Sequence, residues 1–169
     1  HTLYPVKLDY RRWKWRMHGD SVKLAEMSAE IKEDIDRLLV SSMTNLPAFL
    51  ALTNPRFAHT PKVMMMHENQ LTQPMPEGEE RDLTYCYINY LSALVANELW
   101  FSSRFHRDEF FEALPVFLKK YSDRSALQRI DELKAKSRVV HPGIALRHFD
   151  KHRQTVSSNP ASVDQRKAP

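Results

Sequence analysis

The chain has 169 residues, of which 25 are Lys or Arg and 21 are Asp or Glu, for a net charge of +4. That length supports one domain with its own core, and no charge-free run reaches the roughly twenty apolar residues that a membrane-spanning helix requires. Glycine numbers only three, where average usage would give about twelve, so a β-rich fold and a glycine-built phosphate loop are both disfavoured.

Taken in chain order, residues 1–19 read HTLYPVKLDYRRWKWRMHG. Pro5 and the alternation of Trp13 and Trp15 with Arg12, Lys14 and Arg16 predict an extended arm or one amphipathic turn. Arg11, Arg12, Trp13, Lys14, Trp15 and Arg16 are the candidate contact residues of this arm. Cations interleaved with indoles suit an acidic protein face, anionic lipid headgroups or, less readily, RNA. The bland alternative is that the tryptophans pack on the chain's own body while the cations stay solvated.

Gly19-Asp20-Ser21 then opens a long amphipathic helix, with Asp20 or Ser21 as its cap. Leu24, Met27, Ile31, Ile35, Leu38, Met43 and Leu46 form its apolar stripe, and Glu26, Glu30, Lys32, Glu33, Asp34, Asp36 and Arg37 its charged face. Pro47 ends or kinks it, and a short apolar helix can follow over 48–52. Residues 54–82 read as a long irregular loop, with Pro55, Pro61, Pro74, Pro76 and the acidic run Glu77-Gly78-Glu79-Glu80. Within it, Val63-Met64-Met65-Met66-His67 reads as gap-filling methionine packing. A soft copper site would need more sulfur or histidine around it.

Residues 83–121 organise the rest, and the stretch 83–97 carries no charge. Tyr87, Tyr90, Leu91, Leu94, Val95 and Leu99 recur at helical spacing, as do Phe110, Phe111, Leu114, Phe117, Leu118 and Tyr121. The central helix is expected from Asp82 or Thr84 to about Ser103. Asp108 caps the next, and Pro115 makes it either one kinked helix or two short ones. Cys86, the single cysteine, excludes an internal disulfide and fits a reducing compartment. Ser122-Asp123 opens a further helix to Arg138, and Pro142 begins a last one to about Gln154. The expected fold class is therefore all-α: an irregular domain of about five or six helices. Its divisions are a basic aromatic arm over 1–19, a helical domain over 20–154 with the loop 54–82, and a polar tail over 155–169.

The charge is uneven along the chain. Residues 1–18 sum to +4 and residues 138–169 to +4, so the 119 residues between them sum to −4. Basic ends suggest contact with anionic surfaces. At the second end the candidate contact residues are Arg147, Lys151 and Arg153.

The titratable residues form no recognisable chemistry. His148 and His152 share a helix face but lack third and fourth metal ligands. His106 has Asp108 and Glu109 nearby, yet these read as cap and first-turn acids. Ser102-Ser103 lacks a nucleophile elbow, and Glu98 reads as half of a structural ion pair with Arg104 or an arginine from another helix. No catalytic residue, metal ligand or cofactor is assigned, and the chain reads as a non-enzyme.

The whole pattern resembles the lineage-specific accessory subunits of protist mitochondrial ATP synthase. What carries the resemblance is a start at His1 without methionine, a helical body, the arm RRWKWR and the tail SSNPASVDQRKAP. The resemblance implies a non-catalytic subunit that stabilises a large mitochondrial membrane complex, on the matrix side or peripheral to the inner membrane. Its partners would be other subunits, with anionic lipid headgroups as a further contact. A mitochondrial ribosomal protein that touches RNA and a small helical soluble enzyme are the alternatives.

Overall fold

The computed structural model describes residues 2–8, 12–120 and 127–147. In chain order its elements are α1 (Trp13–Ala29), β1 (Leu38–Ser41), α2 (Leu46–Leu52), β2 (Lys62–Met66), α3 (Leu83–Val95), β3 (Glu98–Phe101), α4 (Arg104–Lys119), α5 (Arg129–Ala135) and β4 (Ser137–Val139). The four strands form one sheet in the order β1-β2-β3-β4, every pair parallel. This is an α/β fold, and the expected all-α class is corrected. Glycine scarcity argues against tight hairpins, but parallel strands are joined by helical crossovers that need no such turns. Three glycines are therefore no obstacle to this sheet.

The register shows why the helical periodicity misled. Val40 pairs with Met64, Met64 with Leu99, Met66 with Phe101, and Phe101 with Val139. Leu38, Val40, Met64, Met66, Leu99 and Phe101 meet one core with Leu46 and Phe49 of α2, Cys86, Tyr90 and Ala93 of α3, and Phe110, Phe111 and Leu114 of α4. Leu24, Ile35, Leu38 and Leu46, read as one helical stripe, lie in α1, a link, β1 and α2, and all four reach this core. Residues from different elements thus matched one helical period.

The ends of the elements have local causes. α1 does not continue to Leu46, because its last turn is closed by side chains. The Arg56 guanidinium donates to the carbonyls of Ser28 and Ile31, and Lys32 Nζ donates to Ala29 O at 2.8 Å. α1 also begins earlier than the sequence suggests, at Trp13, behind Arg12 at φ 59°. The uncharged run 83–97 is cut in two by Asn97. Its N–H donates to Lys62 O at 2.8 Å, and its Oδ1 accepts from Lys62 N–H at 2.8 Å. This latch to the start of β2 turns the chain from α3 into β3. The Lys136 ammonium takes up the freed carbonyls of Leu94 and Ala96 at 2.9 and 2.7 Å.

α4 is one helix with Pro115 inside it, capped by Ser103 rather than Asp108: the Ser103 hydroxyl accepts from His106 N–H at 3.1 Å. The helix expected up to Arg138 stops at Ala135, and β4 takes the residues after it. Residues 148–169, with most of the expected last helix and the whole tail, lie outside the described residues. The sheet's other face carries Leu39, Met65, Glu98, Trp100 and Arg138. There Glu98 pairs with Arg37 at 3.9 Å and Arg138 at 3.5 Å and accepts from Trp100 Nε1 at 3.0 Å: an ion pair as expected, but with partners in the link before β1 and on β4 rather than Arg104 or another helix.

Candidate active site at the carboxyl edge of the sheet

In an open parallel sheet, ligands bind outside the carboxyl ends of the strands, where the chain leaves each strand for a helix. Here polar residues stand directly at those ends: Ser41 and Ser42 at β1, His67, Glu68 and Asn69 at β2, Ser102 and Ser103 at β3, and His141 shortly after β4. A cavity of about 510 Å³ opens among them. Its lining includes His67, Glu68, Asn69, Ser102, His106 and Glu109, with Phe105 beside them. A larger cavity, about 810 Å³, lies between Thr2–Lys7 and the outer edge of β1. Its lining mixes apolar residues with Lys7, Asp34, Asp36 and Arg37, whereas the smaller cavity brings two histidines and two carboxylates together at the carboxyl ends of the strands.

The loop that leaves β2 is held from several sides. His67 Nδ1 lies 3.2 Å from Ser42 Oγ and 3.5 Å from Ser41 Oγ. Asn69, buried, accepts through Oδ1 from the N–H groups of Leu71 and Thr72 at 3.1 and 3.0 Å. Behind them Asn89 of α3, 1% exposed, accepts from Gln70 N–H at 3.0 Å and donates to Ser42 O at 2.6 Å. Arg81 clamps the far side, donating to Gln70 O at 2.6 Å and Gln73 O at 2.7 Å. Cys86 packs there too, with Sγ 3.1 Å from Gln70 O, and burial pushes its thiol pKa up. It is therefore a structural thiol rather than a nucleophile.

The α4 side supplies the second wall. His106 follows the Ser103 cap and packs edge-on to Phe101 at 5.5 Å. Burial lowers the His106 pKa, Glu109 opposes that, and His67 adds to it. The ring is therefore mostly neutral at pH 7. His141 Nδ1 sits 3.0 Å from Ser102 O. A carbonyl only accepts, so this nitrogen carries a proton and donates to it. Together the groups offer proton acceptors, carboxylates and an α-helix N-terminus that favours negative charge. Among the described residues no group of three His, Cys, Asp or Glu side chains is placed to hold a metal ion.

The predicted contact residues lie elsewhere. Arg12 is exposed at the start of α1, and Lys14, Trp15 and Arg16 stand in its first turns. Trp13 is the first residue of the same helix. Arg147 is exposed on the segment after β4, and Arg11, Lys151 and Arg153 lie outside the described residues. In the sequence His106 stands beside cap and first-turn acids and His67 ends a methionine run, so neither marks a site locally. The usable signal is short apolar runs, each followed directly by serine or histidine: 38–40 before Ser41-Ser42, 63–66 before His67, and 99–101 before Ser102-Ser103.

Comparison with known proteins gives this edge a context. A family model described as tRNA-queuosine alpha-mannosyltransferase N-terminal matches residues 1–144. The tRNA-queuosine alpha-mannosyltransferase of Drosophila melanogaster is 25% identical over 154 residues, which is 91% of this chain and 40% of the fly protein. The chain thus spans well under half the length of that curated relative. No solved structure matches.

These matches overturn the expected kinship with ATP synthase accessory subunits and the role drawn from it, a non-catalytic part of a mitochondrial membrane complex. The ribosomal alternative and the small helical enzyme fall with it. So do the assignment as a non-enzyme and the low weight given to nucleic acid, because the family is named for an enzyme that acts on tRNA. The resemblance rested on composition and on chain ends, which convergent surface chemistry produces in unrelated proteins. With residues 1–144 matched, the chain belongs to the family of tRNA-queuosine alpha-mannosyltransferase N-terminal regions.

Proposed function

We propose that this chain forms one wall of a sugar-transfer site that adds mannose to queuosine in tRNA, and that the cavity between β2 and α4 belongs to that site. The observation that carries the reading is the meeting of His67, Glu68, His106 and Glu109 around one cavity at the carboxyl edge of the sheet. The family and the fly relative's name supply the reaction class.

Glycosyl transfer asks two things of a protein: a base for the acceptor hydroxyl and stabilisation of charge on the leaving group. His67 suits the first. When its Nδ1–H donates to Ser42 Oγ, 3.2 Å away, Nε2 keeps a lone pair for the acceptor hydroxyl. The N-terminus of α4 suits the second, since its first amides and dipole favour negative charge. Phe105, 74% exposed at the cavity rim, offers a flat apolar surface to a sugar or base. The test uses the full-length protein that contains this chain, with queuosine-bearing tRNA and an activated mannose donor. Mass spectrometry of the digested tRNA should show one hexose added to queuosine. His67→Ala should lower transfer by about 10²-fold or more without a change in melting temperature. Absence of hexose on queuosine with the wild-type protein would overturn the reading.

A further inference from the structure

We propose that the first turns of α1, around Arg12, Lys14 and Trp15, form the surface on which the RNA substrate docks beside the cavity. This rests on the reading of the cavity as an RNA-modifying site, and adds to it where the polynucleotide is held.

The first observation is an exposed indole. Trp15 is 73% exposed. Its Nε1 lies 4.0 Å from where a Cβ on Gly19 would stand, so the ring extends along the helix over a residue with no side chain. An open aromatic face of this kind is a platform on which an unpaired base stacks. Arg12 and Lys14 are exposed within the same turn and Lys23 further along. Cations beside an open ring are the combination that single-stranded nucleic acid recognises.

The second observation is position. The N-terminal half of α1 is fastened to the sheet edge that carries the cavity. Ser21 Oγ donates to Asn45 O at 2.9 Å, just beyond the end of β1. Met17 packs with Tyr85, Ile88 and Met43, where Met43 follows β1 and Tyr85 opens α3. The His18 ring packs against Tyr85, centroids 5.1 Å apart and tilted by 51°. The segment that lines the cavity at residues 67–74 runs on to Glu79, which lies 3.9 Å from Lys14. Cavity and aromatic turn therefore stand at the two ends of one connection.

Charge favours RNA over an acidic protein face. Lys14 faces Glu79 at 3.9 Å, and Arg16 faces Asp20 at 3.6 Å. A partner must out-compete these carboxylates locally, which a closely spaced row of phosphates does better than scattered acidic side chains. Replacing Glu79 should accordingly strengthen binding.

The experiment measures binding and transfer separately on the full-length protein. The probe for binding is queuosine-bearing tRNA, read by fluorescence anisotropy at several salt concentrations. Trp15→Ala should weaken binding by about tenfold, the loss of one base–aromatic stack. Lys14→Glu should weaken it and lower the salt dependence by about one phosphate contact. Glu79→Gln should strengthen it. In transfer assays the Trp15 and Lys14 variants should raise KM for tRNA while kcat stays within about twofold, the pattern of lost ground-state binding. Wild-type affinity and salt slope in both variants would overturn the proposal. So would equal, Trp15-dependent binding to vesicles of anionic lipid without RNA binding. Trp15-dependent tRNA binding by a wild-type protein that transfers no mannose would support the docking surface and overturn the assigned reaction.

Discussion

Asn89 shows how a single buried amide can serve a site it does not line. It is 1% exposed and ties Gln70 N–H to Ser42 O, joining the loop after β2 to the end of β1. Asn89→Ala leaves both backbone groups buried without partners, at about 1–3 kcal/mol each. The expected outcome is a loss of about 2–6 kcal/mol in urea unfolding together with a marked fall in activity. His106 carries a pH signature. Its pKa is lowered from 6.5, chiefly by burial. The unfolded chain therefore binds a proton at a higher pH than the folded chain does. Stability from this residue is complete above 6.5 and is lost as pH falls through the lower, folded value. His106→Gln cannot titrate, so its melting temperature should fall less steeply on acidification than that of the wild type. Parallel melting curves against pH would show that other groups dominate.

At the scale of elements, α4 links fold to site. Its cap is Ser103, one residue past the cavity wall at Ser102, so the hydroxyl that starts the helix also sets where His106 and Glu109 stand. Ser103→Ala should cost about 1 kcal/mol, the usual value of an N-cap. It should also reduce transfer more than Lys119→Ala, a change in the last turn of the same helix. Comparing melting temperature and kcat for the two variants checks this. α3 carries a different lesson. Tyr87, Leu91 and Val95 are 39%, 38% and 41% exposed, so the helix that looked apolar all round buries only part of its surface among the described residues. The charge-free run is explained by its neighbours, because α3 lies against α2, α5 and β2 at once.

For the molecule as a whole, stability should follow the sheet rather than the stripe of helical spacing. Leu99 is fully buried in the middle of β3, between Met64 and Ser137. Leu99→Asp places a carboxylate in that core and should unfold the domain or cost about 3–5 kcal/mol. Glu33 is exposed in the link before β1, and Glu33→Ala should stay within about 0.5 kcal/mol. Leu94, at the centre of the uncharged run, is only half-buried, so Leu94→Asp should be milder than Leu99→Asp. Circular dichroism with urea titration of the three variants decides the order.

Some features were readable without the fold. The short helix near 48–52 appears as α2, and Glu98 reads from sequence as an ion-pair residue and is one. Those properties are local: they depend on which residues are apolar, on propensity and on nearby proline. The parallel sheet was not readable, because strands of three to five residues are shorter than the window in which a period of two can be told from one of 3.6. Pairing joins residues as far apart as Leu99 and Ser137, and no local pattern records it. The site was hidden for the same reason. His67, Ser102 and His141 are dispersed along the chain and become neighbours only when parallel strands bring their carboxyl ends to one edge. Sequence by itself determined the uneven charge and the basic aromatic stretch around Trp15. Tertiary structure alone decided the sheet, the cavity and which histidines share it, since those depend on contacts whose free energy exists only after long loops have closed.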